Sequence, residues 1–202
     1  MANPLNSDEL RALYGIPSGR AAIKVLSALE QHSRNFIGHS PFLILSSYNS
    51  DGSMDTSPRG GKKGFVKILD DSQILIPDAK GNNRIDSLIN IAETGKVGLL
   101  FLLPGIDETL RVNGSAVITN ENKYLKMFPD ETRPPKTCIL IKIEEVFLHC
   151  AKALMRSKLW NPTFHLTRPA FPTMGKMLKD QLGGDKPLET QEEMVKRYKK
   201  DL

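Results

Sequence analysis

Two stretches of the chain gather residue types that hold a phosphate. Ser57-Pro58-Arg59-Gly60-Gly61-Lys62-Lys63-Gly64 joins flexible backbone to three cations just ahead of an apolar run, and amides and side chains acting together can cradle a doubly charged anion. The spacing is not that of a Walker loop, and a solvated basic turn is the commoner outcome for such a run taken by itself. Gly81-Asn82-Asn83-Arg84 opens a helical pattern over residues 86–94. A helix start presents free N–H groups and partial positive charge, so an arginine there is slightly unfavourable unless an anion is bound. The alternative is that Asn82 or Asn83 caps the helix while Arg84 pairs with Asp86 or faces solvent. Two cationic sites separated by one strand pair are more specific together than either is alone.

Side chains for nucleophilic or metal chemistry are sparse. His32, His39, His149 and His165 share no metal-ligand spacing, and neither Cys138 nor Cys150 has a Cys-x-x-Cys partner, so no metal site is predicted. Both cysteines fall in one extended apolar run that holds them beyond disulfide reach, and buried, reduced thiols are expected. His149 and Cys150 are adjacent, but neighbours on a strand point to opposite faces, which argues against a base and nucleophile pair. Trp160, the single tryptophan, either plugs a core or, with Lys152, Arg156 and Lys158 around it, serves a ligand or an interface. The run Lys196-Arg197-Tyr198-Lys199-Lys200 reads as a solvated helix end. No catalytic residue is assigned.

The elements that must position these groups follow from periodicity. Residues 8–14 and 20–36 read as helices, the second after a cap at Ser18. From Pro41 the pattern changes to short apolar runs at 42–47, 65–69, 74–77, 97–103, 110–118 and 138–148, broken by Gly, Asp, Asn and Pro, which predicts six strands. Over 110–118, Leu110, Val112, Ala116 and Ile118 alternate with Thr109, Arg111, Asn113 and Ser115, so one polar face is free to meet a ligand. Residues 97–103 are apolar on both faces and are expected to be covered on both. Ile85, Leu88, Ile89 and Ala92 place one amphipathic helix between strands. After Cys150 short helical patterns at 151–158, 174–181 and 189–200 are separated by prolines. A six-stranded antiparallel barrel with peripheral helices fits this order better than a βαβ sheet. The division is a helical lead-in over 1–40, a barrel over 41–150 and a helical segment over 151–202.

Hydrophobic residues make up 40% and charged residues 25% of the 202, values of an ordinary globular chain with one buried core. The net charge of +5 is spread among interleaved acids outside 59–67 and 196–200, so no nucleic-acid surface is predicted. No run approaches the ~18 apolar residues of a membrane span, and residues 1–11 are polar and acidic where a signal peptide needs an apolar stretch. A cytoplasmic location is expected.

The ordered succession Ser57-Pro58-Arg59-Gly60-Gly61, Leu75-Ile76-Pro77-Asp78, Gly81-Asn82-Asn83-Arg84, Val97-Gly98-Leu99-Leu100-Phe101 and Glu108-Thr109-Leu110-Arg111-Val112-Asn113-Gly114 resembles the pyridoxamine 5'-phosphate oxidase-like FMN-binding family. Phe147-Leu148-His149-Cys150 and Arg156-Ser157-Lys158-Leu159-Trp160 extend the likeness to a subgroup of FMN-dependent enzymes of unassigned substrate. The resemblance implies a mainly β (α+β) fold, the six-stranded antiparallel FMN-binding split β-barrel with peripheral helices. It also implies a homodimer with FMN at the subunit interface. Position by position, Arg59 with Lys63 or Lys67 corresponds to the basic residues at a strand start that bind phosphate. Asn83 and Arg84 correspond to the helix start on its far side. Ile76, Pro77 and Asp78 match the strand end along the flavin ring, and Thr109 and Arg111 the polar face toward its pyrimidine edge. Lys152, Arg156 and Trp160 match an element that reaches the flavin from the other subunit.

One departure bears on the reaction. Pyridoxamine phosphate oxidases carry Ser-Arg-Lys at the helix start and a C-terminal arginine and histidine for the substrate phosphate, whereas this chain has Asn82-Asn83-Arg84 and no counterpart of the last pair. The expected function is therefore an FMN-dependent oxidoreductase acting on an unnamed small-molecule redox substrate, in which the flavin carries the electrons. The alternative is a non-catalytic flavin-binding or flavin-sensing module.

Overall fold

The computed structural model describes residues 2–129, 133–183 and 189–201. Helix α1 (Ser7–Tyr14) starts at a capping box in which the Asn6 side chain accepts from the Asp8 and Glu9 amides and Glu9 accepts from the Asn6 amide. One turn, α2 (Arg20–Ile23), and the Glu30-capped α3 (Gln31–His39) follow. The single helix expected over 20–36 is thus broken. Between α2 and α3 the backbone serves as a strap: Leu26 and Val146 exchange both backbone hydrogen bonds, at 3.0 and 2.8 Å, and the Leu29 amide donates to the Asp71 carbonyl at 2.7 Å. Helical periodicity loses here because a strand edge elsewhere needs partners for its amides and carbonyls.

The sheet comprises β1 (Phe42–Tyr48), β2 (Met54–Gly60), β3 (Lys67–Ile68), β4 (Gln73–Pro77), β5 (Lys96–Leu103), β6 (Ile106–Thr119) and β7 (Cys138–His149). Helix α4 (Asp86–Thr94) interrupts it after β4, and α5 (Asn122–Leu125) joins β6 to β7. Helices α6 (Lys152–Ser157), α7 (Met174–Leu182) and α8 (Gln191–Tyr198) complete the described chain, with 3-10 turns at Pro162–Phe164 and Arg168–Ala170. All pairings are antiparallel in the order β2-β1-β5-β6-β7-β4-β3. Seven strands replace the six expected, and the hydrogen-bonded ladder does not close. The added strand is β2, whose sequence Met-Asp-Thr-Ser-Pro-Arg-Gly lacks an apolar alternation and contains a proline. Such a strand is tolerated at an edge, where one side needs no ladder donors. The stretch expected as a basic loop is therefore a strand as far as Gly60.

Inward residues from nearly every element meet in one core: Leu43 and Leu45, Ile74 and Ile76, Leu99 and Phe101, Leu110 and Val112, Ile139 and Ile141, covered by Ile37 of α3 and Ile91 of α4. Strand β5 buries Val97, Leu99 and Phe101 on one face, while on the other Leu102 is buried and Leu100 only half-buried. Across β6 and β7 the register slips between Asn113 and Gly114, leaving Glu144 as the extra residue of a bulge. Glycine is required at 114, since a Cβ would stand 2.1 Å from the Lys142 carbonyl oxygen. Both cysteines are free; Cys138 is buried as expected, but Cys150 lies just past β7 and is exposed. Among the described residues no helix is long and apolar enough to cross a membrane, and no cluster of His, Cys, Asp or Glu could hold a metal ion.

Candidate functional site

On β2 the side chains of Asp55, Ser57 and Arg59 share one face by strand alternation. That face turns toward the chain leaving β4, although β2 and β4 stand near opposite ends of the ladder order. Arg59 Nη1 donates to Asp78 Oδ1 at 3.3 Å, with side chains only 19% and 23% exposed. This ion pair bridges the split that the ladder leaves open. Arg59 Nη2 donates to Ser87 Oγ at 3.1 Å, Ser87 Oγ lies 2.9 Å from Ser57 Oγ, and Ser87 Oγ donates to the Asp55 carboxylate. The third guanidinium donor, Arg59 Nε, is buried and has no partner among the described residues. Burial holds the Asp78 carboxyl above its usual range even against the opposing pull of Arg59 and Lys136. The thiol of Cys138 is pushed up to about 11, first by burial and then by the Asp78 charge.

This face opens into a cleft of about 210 Å³ whose walls include Pro58, Arg59, Phe65, Pro77, Asp78 and Gly81. Lys80, Arg133 and Asp201 stand at its rim, where Asp201 Oδ1 accepts from Lys80 Nζ at 2.8 Å and lies 3.3 Å from Arg133 Nη2. Three of the expected site residues, Arg59, Pro77 and Asp78, line the cleft. Ile76 is wholly buried in the core, so only its backbone faces elsewhere. Lys63 is exposed, and Lys67 sits on β3 with its ammonium 5.7 Å from the Phe128 ring centre; neither lines the cleft.

The helix start differs in detail from the expectation. No side chain caps α4; Asn82 Oδ1 instead accepts from the Arg84 amide at 3.1 Å, and Asn83 and Ile85 adopt left-handed backbone with φ of 61° and 51°. For a β-branched residue that conformation is strained. Arg84 is 74% exposed and its Nε donates to Asp86 Oδ2 at 2.8 Å.

The remaining expected residues form a separate group. Thr109 and Arg111 on β6 stand opposite His149 and Phe147 on β7. Trp160 Nε1 donates to the Ile106 carbonyl at 2.9 Å, which fixes the segment after α6 at the start of β6, and Lys152 and Arg156 on α6 are exposed. Pro77, by contrast, pairs with Cys138, which pairs with Thr119 at the other end of β6. A single chain does not bring the two groups together. Sequence reasoning missed Asp55 and Ser87, the partners that orient Arg59; reading 54–60 as a strand would have put Asp55, Ser57 and Arg59 on one face.

A family profile described as pyridoxamine 5'-phosphate oxidase matches residues 29–150, more than half of the chain. The chain belongs to the pyridoxamine 5'-phosphate oxidase family. Among solved structures, HupZ from Group A Streptococcus is 18% identical, with 59% of this chain and 93% of that one covered at a TM-score of 0.51. A protein from Lactobacillus delbrueckii provisionally named a pyridoxamine 5'-phosphate oxidase is 23% identical, covering 62% and 99% at a TM-score of 0.47. The FAD binding protein from Mycobacterium smegmatis is 10% identical, covering 61% and 97% at 0.42. No curated protein matches the chain. Identities this low bear on the fold alone, and the antiparallel sheet with peripheral helices is that of the family's split barrel.

Proposed function

We propose that the protein is an FMN-dependent oxidoreductase that works as a homodimer with FMN at the subunit interface and a small-molecule redox substrate. The observation that carries this reading is Arg59. Its Nε–H is buried on the wall of the cleft without a partner among the described residues, and an unsatisfied buried donor costs about 1–3 kcal/mol. A phosphate oxygen in the cleft removes that cost, so the residues present fit the phosphate end of FMN. Bound there, FMN supplies the electron-transfer chemistry.

The chain's own residues bind and orient. Arg59, pinned by Asp78 and Ser87, keeps a fixed cation in a partly dehydrated wall, where a charge-assisted bond is stronger than at the surface. Lys63 or Lys67 and the Asn83-Arg84 helix start add charge and amides, with Arg84 exchanging Asp86 for phosphate. Pro77 and Asp78 at the end of β4, with the backbone of Ile76, border the ring. Thr109, Arg111, Lys152, Arg156 and Trp160 sit at the far end of β6, so a second copy of the chain is what brings an equivalent set to this cleft. No side chain acts as a nucleophile.

Purified protein is expected to be yellow and to sediment as a dimer. In a titration of the apoprotein, Arg59→Met weakens FMN on the order of a hundredfold, as loss of a buried charge-assisted contact demands. A colourless wild-type protein that binds no FMN refutes the reading. Flavin bound but never reduced by NADH, NADPH or a deazaflavin donor reduces it to a flavin-binding module.

A further inference from the structure

Among the described residues, the cations that border the phosphate cleft are neutralised from two different sources. Arg59 pairs with Asp78 of the cleft's own wall. Lys80, on the chain leaving β4, and Arg133, in the connection from β6 to β7, share a carboxylate from elsewhere: Asp201 Oδ1 lies 2.8 Å from Lys80 Nζ and 3.3 Å from Arg133 Nη2. Arg133 Nη2 also donates to the Lys200 carbonyl at 3.4 Å. Asp201 stands just past α8, 121 residues from Lys80. The other described residues lining the cleft all fall within 58–135.

Helix α8 is ordered locally and held to the barrel lightly. Thr190 and Glu193 close a capping box at its start, and Arg197 grips Glu189 with two bonds of 2.8 and 2.7 Å. No residue of α8 is buried. Past the helix, the Lys200 amide donates to the Arg197 carbonyl and the Asp201 amide to the Tyr198 carbonyl, a turn that presents the Asp201 side chain to the cleft mouth. The hydrogen bond from Lys80, with the charges of Lys80, Arg133 and Arg197, holds the Asp201 carboxyl below its usual range. Yet Lys80, Arg133 and Asp201 are 46%, 51% and 33% exposed, and ion pairs as wet as these are weak and exchangeable. A carboxylate at the mouth repels any anion approaching Arg59 and occupies the two cations that such an anion meets first.

We propose that the segment following α8 is a displaceable latch across the mouth of the cleft: Asp201 holds Lys80 and Arg133 in the ligand-free protein, and an entering phosphate takes its place and releases the segment. Naming that phosphate as the one on FMN rests on the flavin reading above; the exchange of carboxylate for anion does not. The latch slows and weakens entry rather than barring it, since two exposed ion pairs shift an equilibrium by about three- to tenfold. A ligand without an anionic group has nothing with which to displace Asp201, so the latch also favours phosphate-bearing ligands over neutral ones.

The test is amide hydrogen exchange of the full chain, followed on the peptide that carries the Lys200 and Asp201 amides, without ligand and with FMN, riboflavin or inorganic phosphate. FMN is expected to speed exchange there by about three- to tenfold, and riboflavin, which lacks the phosphate, to leave it unchanged. Asp201→Asn exchanges at the faster rate without ligand and binds FMN about three- to tenfold more tightly than wild type, while Asp201→Glu keeps the wild-type behaviour. The proposal is overturned if FMN binds and exchange is unchanged, if FMN slows exchange because the segment closes over the ligand, if riboflavin releases the segment as FMN does, or if Asp201→Asn binds FMN no more tightly. A protein that binds no FMN unseats the flavin reading instead. In that case release of the segment by inorganic phosphate leaves the latch standing, and no release by phosphate overturns it as well.

Discussion

Two cationic regions of this molecule are built on opposite electrostatic plans. At the split between β2 and β4, Arg59 is paired, half-dehydrated and hydrogen-bonded to a serine that is itself oriented by Asp55 and Ser57. At the start of β6, Lys24 and Arg111 are exposed, have no carboxylate partner among the described residues and lean on an aromatic ring. The first plan spends an acid to hold a charge in one geometry, leaving a single donor free. The second leaves charge uncompensated, so that it is available to whatever arrives. A fixed phosphate anchor suits the first arrangement, whereas in the second the face of an aromatic ring takes the place of a carboxylate.

The sharpest way to break this contrast is to delete one cation from each region and measure unfolding. Arg59→Met strands the half-buried Asp78 carboxyl and is expected to destabilise the protein by about 2 kcal/mol in chemical denaturation, whereas Arg111→Met stays within about 0.5 kcal/mol of wild type, as exposed substitutions do. Equal losses mean that both arginines are structural. Next in size, Arg84→Ala leaves stability unchanged but weakens FMN by about 1.5 kcal/mol, roughly tenfold in a flavin titration; unchanged affinity removes the helix start from the phosphate site.

The smallest effect concerns His149. Its pKa is depressed by burial, Lys24 and Arg111, with Glu145 and Asp107 the acids on that face. A depressed histidine binds fewer protons folded than unfolded, so stability is lost as pH falls from its ordinary value of 6.5 through the lower folded value. Lys24→Met raises the folded value and shrinks that loss. An NMR titration of His149 that is identical in the variant shows that the strap does not bring Lys24 close in solution.

Much of the barrel was legible because strands with one face in a core must alternate. Leu110, Val112 and Ala116 announced β6, and Ile139, Ile141 and Ile143 are buried along β7 in the same way. The failures have the complementary cause. Strand β2 buries no hydrophobic residue, so its existence depends on the free edge of β1 rather than on its own pattern. The helix expected over 20–36 gave way at Leu26 because Val146 offered two hydrogen bonds that a local pattern cannot foresee. Within the site, Arg59, Pro77 and Asp78 were legible as residue types in order along the chain, and the cleft brings them together. Ser87 was missed, since its role depends on how far the sheet curls.

The sequence by itself determined which residues carry charge, where backbone is flexible enough to approach an anion, and which strands have a wet face, because these follow from side-chain chemistry and short-range periodicity. Only the tertiary structure decided which charges are neutralised. Arg59 and Asp78 are 19 residues apart, and Lys24 and Phe147 are still farther apart in sequence. Whether a cation meets a carboxylate or an aromatic ring depends on sheet curvature and on the strap across Val146, and both are set by long-range hydrogen bonding that no local stretch of sequence encodes.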